Sequence, residues 1–234
     1  EFIYFVNDLV IKYFADKSQI ENRYKRSTTI NGSCPSLIEK TEYFFSYKYI
    51  KGKTVYEVLN PNLVNVFFTW CKKNLWRPVD LDSKTFQNLC YEFYYDKTQK
   101  RLEKFYQKYP DFIQNKIRIN NEDCESIEAL LSKIDWNDIK KGTAVTFHGD
   151  LQFDNVLRTG WSEKESSSFK VIDWRGDFAN STEVGDLYYD LAKLYGGLIL
   201  PYNLIKKNNF NFEYSDKSAN YNFKTSHMLN ESKQ

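Results

Sequence analysis

Phe147-His148-Gly149-Asp150-Leu151-Gln152-Phe153-Asp154-Asn155, followed after a polar connection by Val171-Ile172-Asp173-Trp174, is the stretch on which the reading of this 234-residue chain turns. It sets two carboxylates and an amide, those of Asp150, Asp173 and Asn155, on two adjacent apolar segments. Working outward, Ala144-Val145-Thr146-Phe147, Asn155-Val156-Leu157-Arg158 and Phe169-Lys170-Val171-Ile172 are short runs rich in apolar, β-branched and aromatic residues, and each is expected to be a strand. Thr159 to Ser168, rich in Ser, Glu and Lys, reads as a hairpin connection longer than a tight turn. Asp150, Asn155 and Asp173 are therefore expected to cluster at strand ends around one small hairpin. Each taken singly has a plain structural reading: Asp150 as a turn or cap residue, Asn155 as a strand-end residue, Asp173 as a solvated carboxylate. Their order, spacing and strand setting together point to a site.

Phosphoryl transfer from a nucleotide needs a carboxylate to orient and accept the proton of the attacking hydroxyl, and oxygen ligands to hold magnesium against the phosphates. In the kinase catalytic loop H-R-D-x-x-x-x-N the base and the metal-binding Asn are five positions apart; Asp150 to Asn155 repeats that spacing, with Gly149 in the Arg position. The chain here resembles the aminoglycoside phosphotransferase and choline kinase superfamily, whose members carry H-G-D-x-x-x-x-N and then an I-D-W or I-D-Y element. Gly185-Asp186-Leu187-Tyr188-Tyr189-Asp190-Leu191-Ala192 is similar to the G-D-x-x-x-D-L-A segment that follows in that family. The resemblance implies an α+β, two-lobe protein-kinase-like fold and ATP-dependent phosphorylation of a small-molecule hydroxyl, with ATP and Mg2+ as cofactors. It implies Asp150 as the base, Asn155 and Asp173 as metal ligands, and His148 and Asp186 as supports that brace the catalytic loop through backbone hydrogen bonds. Arg175 reads equally as a phosphate or acceptor contact and as a solvated partner of Asp177.

Phe2-Ile3-Tyr4-Phe5-Val6 and Leu9-Val10-Ile11-Lys12-Tyr13-Phe14 read as two strands joined by the polar turn Asn7-Asp8. Lys12 interrupts an apolar run, and Val10-Ile11-Lys12 resembles the strand lysine of V-A-I-K, which pairs with the nucleotide phosphates and with a Glu on the next helix. Glu21, in a helix expected over Ser18 to Thr28, is the candidate partner. After Ser36 to Glu39, Tyr47 through Val55 is similar to the family's strand and hinge, which implies that the backbone near Tyr49 and Ile50 contacts adenine. Gly52-Lys53-Thr54 lacks the first Gly and the strand-to-helix setting of a Walker loop.

From Thr54 to Ile134 the pattern becomes helical. Leu63, Val66, Phe67 and Trp70 form one seam; Phe86, Leu89 and Phe93 form another after a cap at Asp82 or Ser83; a third helix is expected from a cap at Asn121 through Ile127, Leu130, Leu131 and Ile134. Tyr91, Tyr94 and Tyr95 read first as packing and second as lining for a substrate. A final helix is expected from near Glu183. Residues 1–50 are thus expected to be a partial nucleotide-binding lobe with a hinge at 47–55, and residues 51–234 a catalytic lobe, shortened after Leu200-Pro201. Only eleven residues precede Lys12, too few for the phosphate-covering hairpin of the kinase pattern, so a fragment of a longer protein fused to further domains is expected.

Composition narrows the partners. The net charge of +2 is spread among mixed signs, with no basic stripe to bind nucleic acid. Cys34, Cys71, Cys90 and Cys124 are isolated, without zinc spacing, which suits reduced thiols in the cytoplasm. No uncharged apolar run approaches the roughly 18 residues of a membrane span. The acceptor is left open among choline or ethanolamine, aminoglycosides and sugars, and a nucleotide-binding pseudokinase or regulatory domain is the alternative to an active kinase.

Overall fold

A computed structural model describes residues 1–110, 117–160, 169–215 and 218–224, so most of the expected connection Thr159 to Ser168 lies outside the described residues. The chain is a mixed α+β protein with a β-rich start followed by helices. Strands β1 (Phe2–Val6) and β2 (Leu9–Tyr13) form the expected hairpin, with Asn7 in the left-handed region at φ 52°. Asn adopts that region more readily than most residues. Helix α1 (Lys17–Thr29) is capped by Asp16, whose carboxylate accepts the Ser18 amide at 2.9 Å. Strands β3 (Leu37–Lys40) and β4 (Phe44–Lys48) complete an antiparallel sheet of order β1-β2-β4-β3.

Strand alternation decides which side chains this sheet buries. Val10 and Lys12 share the buried face of β2, and Phe45, opposite Lys12 on β4, is buried with them. Phe14 stacks on Phe45 at 5.7 Å, and Phe45 stacks on Trp174 at 5.9 Å, which ties the sheet to the I-D-W element. After the short β5 (Lys53–Thr54), helix α2 (Pro61–Asn74) begins with Asn60 accepting the Leu63 amide at 3.0 Å and Pro61 in the first turn, where an amide has no helical partner. Leu63, Phe67, Trp70 and Cys71 form its buried seam, while Val66, at the edge of that stripe, is exposed.

Helix α3 (Ser83–Tyr91) starts at its cap Asp82 and continues through a π-helical turn, Glu92–Asp96, into α4 (Lys97–Lys108). Tyr91 stacks on Tyr95 at 4.9 Å, and Tyr95 meets Trp136 edge-on at 5.1 Å, so these tyrosines have packing partners. The helix expected from Asn121 is corrected. Asn120 and Asn121 have φ of 49° and 69° and form the turn between β6 (Ile117–Ile119) and β7 (Glu122–Cys124), while helix α5 (Ile127–Ser132) starts only after the cap Ser126. Two successive residues at positive φ are what a type I′ hairpin turn requires, and Asn supplies them as readily as it supplies a cap. A short α6 (Trp136–Ile139) follows.

Strand β8 (Ala144–Val145) pairs with β11 (Gly185–Asp186), and β9 (Val156–Arg158) pairs with both β5 and β10 (Phe169–Val171), all antiparallel. The three strands expected around the motif are present but shorter, which leaves Phe147, Asn155 and Ile172 just outside them. Helix α7 (Leu187–Ile199) begins after Asp186 rather than near Glu183, because the Asp186 carboxylate is its cap. Beyond α8 (Tyr202–Lys206), strands β12 (Phe210–Ser215) and β13 (Ser218–Phe223) join the earlier hairpin in a sheet of order β12-β13-β6-β7. The described residues form two compact units, one of residues 1–81 and 143–200 and one of residues 82–142 and 201–224. No helix among the described residues is long and apolar enough to cross a membrane.

In the first unit Phe147 is fully buried and set edge-on to Phe178 at 5.5 Å. A Cβ added at Gly185 would lie 2.3 Å from the Phe147 ring, whereas one added at Gly196 in α7 meets nothing within 4 Å. Gly185→Ala is therefore expected to destabilise the fold by about 1–3 kcal/mol through overpacking. Gly196→Ala is expected to stabilise it by about 0.5–1 kcal/mol, because Ala is the better helix residue. Urea titration of both variants checks the opposite signs.

Candidate active site

The motif loop is held from below by apolar contacts. Phe153, three residues beyond Asp150, is buried in a 3₁₀ turn (Phe153–Asn155), and its ring centroid lies 6.4 Å from that of Phe67 on α2. Phe67 also packs edge-on to Phe169 of β10 at 5.2 Å, and Trp70 lies 5.7 Å from Phe169. The hairpin and α2 thus bury one aromatic cluster between them, and the loop that carries Asp150 and Asn155 is the rim of that cluster.

From above, the loop is held by one carboxylate. Asp190, fully buried on α7, accepts the His148 amide at 2.9 Å and the Trp76 indole N–H at 3.0 Å on Oδ2, and the Gly149 amide at 2.8 Å on Oδ1. Burial pushes its carboxyl up to about 6, against the pull of these donors and of Arg26. Gly149 sits at φ 81°, and a Cβ there would lie 2.6 Å from the Cβ of Arg175, so this position of the H-G-D motif requires glycine on both counts. The imidazole of His148 is also fully buried: Nε2 lies 2.8 Å from the Ile172 carbonyl, and Nδ1 accepts the Asp150 amide at 3.2 Å. Those partners place the single proton on Nε2, and burial pushes the pKa down to about 4, so the ring is neutral at pH 7.

Asp150 emerges from this frame partly open to solvent. Its Oδ1 pairs with Lys193 Nζ at 2.7 Å and accepts from Gln152 Nε2 at 3.3 Å; Asn155 Nδ2 donates to the Asp150 carbonyl at 2.9 Å and approaches Oδ2 at 3.4 Å. With its NH2 turned to Asp150, the Asn155 amide oxygen points away from it. The Ile172 amide donates to the Asn155 carbonyl at 2.9 Å, which brings the next residue, Asp173, to the same side of the hairpin end. Asp173 stands in the left-handed region at φ 61°, a conformation that costs a non-glycine residue energy and is concentrated at functional sites.

Lys12, a buried residue on β2, ion-pairs with Asp173 Oδ1 and lies 3.2 Å from Glu1 Oε1. Burial lowers its pKa, and Glu1 opposes that shift. Glu21 is not brought to Lys12. Its carboxylate pairs with Lys40 of β3 and, at 3.8 Å, with Lys25. At 100° per residue, Arg23 and Arg26 stand roughly 200° and 140° around α1 from Glu21, and it is these two arginines that α1 turns to the motif. Arg23 Nη1 donates to the Trp174 carbonyl while the Trp174 indole donates to the Arg23 carbonyl at 2.8 Å; Arg26 lies 4.6 Å above the Phe147 ring and donates to the carbonyls of Ser181 at 2.9 Å and Val184 at 3.2 Å. The Tyr49 amide is donated to the Asp8 carbonyl at 2.7 Å, so Tyr49 has its carbonyl, not its N–H, to offer a base; Ile50 follows it just outside β4.

Asp186 accepts the Thr143 amide at 2.7 Å and the Tyr188 amide at 3.2 Å. The brace on the loop itself belongs to Asp190, one helical turn later in the same G-D-x-x-x-D-L-A segment. That segment is the signal that could have found it. Lys193, by contrast, belongs to no motif. Arg175 donates from Nε to the Asp177 carbonyl at 3.0 Å. Among the described residues no three His, Cys, Asp or Glu side chains gather to hold a metal; Asp173 and Asn155 are the oxygen donors at the site that suit a hard cation. The four cysteines are all thiols. Compared with known proteins, the chain matches no family model, and no curated protein or solved structure matches it significantly.

The buried imidazole makes stability depend on pH. Its folded pKa, about 4, is below its ordinary 6.5, so its contribution is complete above pH 6.5 and is lost as pH falls through 4. Asp190 acts in the opposite direction, its contribution being lost as pH rises through about 6, but it is present in wild type and variant alike. Between pH 7 and pH 4 the unfolding free energy of the wild type is expected to fall by about 3 kcal/mol more than that of His148→Gln. Paired urea titrations at the two pH values measure this difference.

Proposed function

We propose that the chain is an ATP-dependent phosphotransferase acting on a hydroxyl of a small molecule, built on a two-lobe protein-kinase-like fold with residues 1–50 as the nucleotide lobe. The observation that carries this reading is convergence. Lys12, the Asp150–Asn155 pair and Asp173 are separated by more than a hundred residues of chain at the widest, yet Lys12 pairs with Asp173 and Asn155 with Asp150 within one unit. A buried lysine against a metal-type carboxylate, next to a partly exposed carboxylate braced by an amide, is the set of groups that phosphoryl transfer needs.

In this reading the acceptor hydroxyl donates its hydrogen bond to the Asp150 carboxylate. Its oxygen attacks the γ-phosphorus of ATP, the bond to the β,γ-bridging oxygen breaks with its electron pair leaving on ADP, and the hydroxyl proton passes to Asp150. Lys12 holds the α- and β-phosphates, and the main chain at Tyr49 and Ile50 lies along the base. Asp173 and the Asn155 amide oxygen would hold magnesium, which would supply positive charge to offset that developing on the phosphoryl oxygens. His148 and Asp190 act on the backbone, holding the Asp150 carboxylate in place without touching the reacting atoms. Free thiols suit a cytoplasmic protein.

A second reading, a nucleotide-binding domain without turnover, is favoured by one observation: Asp150 and Asp173 are both already paired with lysines. Turnover separates the two. With Mg-ATP and a panel of hydroxylated acceptors, Asp150→Asn is expected to lower kcat by about 10²–10⁴-fold with the KM for ATP changed little. Asp173→Ala is expected to abolish magnesium-dependent nucleotide binding in a thermal-shift assay. Acceptor-dependent ATP consumption that survives Asp150→Asn unchanged removes Asp150 as the base. A nucleotide-dependent thermal shift without turnover supports the second reading.

A further inference from the structure

Lys193 lies outside every motif, yet its ammonium contacts the carboxylate proposed as the base, with Nζ 2.7 Å from Asp150 Oδ1. Neither side chain is sealed off: Asp150 is 38 % and Lys193 30 % exposed. A hydroxyl presented to Asp150 must come in beside that ammonium. Two further cations frame the same carboxylate. Arg23 lies within electrostatic reach of Asp150, Arg175 and Asp177, and the Arg175 side chain crosses Gly149, where an added Cβ would meet its Cβ at 2.6 Å and its Cδ at 3.1 Å. The acids that face Arg23 are Glu1 first, then Asp150 and Asp177, and the Asp177 carboxylate also accepts the Asn180 amide at 3.2 Å.

We propose that the acceptor is an anionic hydroxyl compound, carrying a carboxylate or phosphate near the reacting hydroxyl, and that Lys193 is the residue selecting it. This rests on the phosphotransferase reading above. A hydroxyl oxygen hydrogen-bonded to Asp150 Oδ1 stands about 2.7 Å from it, and so no more than about 5.4 Å from the Lys193 ammonium. A cationic group one or two carbons from that hydroxyl, as in ethanolamine or choline, is brought toward Lys193. Like charges about 5 Å apart in a partly exposed site disfavour binding by roughly fourfold to a few hundredfold, depending on screening, and an anion in the same place gains by a similar factor. The Asp150 carboxylate paired with this ammonium offsets part of both effects. Selection here would work by repulsion of the wrong charge as well as by attraction of the right one.

The test uses two sets of acceptors matched in shape and differing in charge: glucosamine, glucose and glucuronate, and ethanolamine, ethylene glycol and glycolate. Glucose 6-phosphate is added so that phosphate and carboxylate are told apart. With saturating Mg-ATP, kcat/KM of the wild type is expected to rise from cationic to neutral to anionic acceptor, with at least about tenfold between the ends of each set. In Lys193→Gln that span should shrink by about tenfold or more while the KM for ATP stays within about twofold, and Lys193→Arg should keep the wild-type order. A wild type that prefers the cationic member, or a span unchanged in Lys193→Gln, overturns the anionic-acceptor inference and leaves the phosphotransferase reading standing. An equal loss in Lys193→Gln for all charges also overturns it, because that is the behaviour of a lysine acting on the transferred phosphoryl alone. Absence of acceptor-dependent ATP turnover across the whole panel overturns the phosphotransferase reading itself.

Discussion

One buried carboxylate organises this protein. Asp190 is shut off from water on α7, a position that costs an acid several kcal/mol unless its oxygens are well supplied with donors. It receives three N–H groups, from His148, Gly149 and Trp76. Through them a single side chain joins the last long helix, the loop that leads into Asp150 and the segment that leaves α2. Burial raises its pKa and the donors lower it, so the balance is held only while all three partners stay in place. The anchor fixes the path of residues 148 and 149, which leads directly into Asp150.

The second organising feature is what α1 offers to the motif. A kinase-like helix in this place would be expected to bring an acid to Lys12, and the available acid was Glu21. The helix instead presents a cationic face. Arg23 and Trp174 exchange hydrogen bonds between side chain and main chain, and Arg26 lies over the Phe147 ring, so the geometry of the I-D-W element depends on α1 through arginine rather than glutamate. Lys12 then takes its counter-charge from Asp173 and Glu1.

The apolar part of the design is simpler. Phe67 and Trp70 of α2, Phe153 of the motif loop and Phe169 of β10 share one aromatic cluster. Phe14, Phe45 and Trp174 form a second stack that reaches from the first sheet to the motif. Between them these clusters fix the two ends of the hairpin that carries Asn155 and Asp173. The site's polar groups are therefore the exposed edge of two packed cores, and they owe their positions to rings that do no chemistry.

What the chain determined by itself was local. Short apolar, β-branched and aromatic runs placed β1, β2 and the hairpin strands, an i, i+3, i+4, i+7 seam placed α2, and the order and spacing of Asp150, Asn155 and Asp173 within that strand setting grouped them as one site. Asn120 and Asn121 misled because an Asn pair serves a hairpin turn as well as a helix cap, and only the pairing of β6 with β7 chooses between them. The partners of Lys12, Glu21, Asp150 and Asp190 were beyond reach for a different reason. Which way α1 and α7 rotate about their axes is set by what each buries against distant chain, and that rotation turned Arg23 inward, sent Glu21 to Lys40, and set Lys193 beside Asp150.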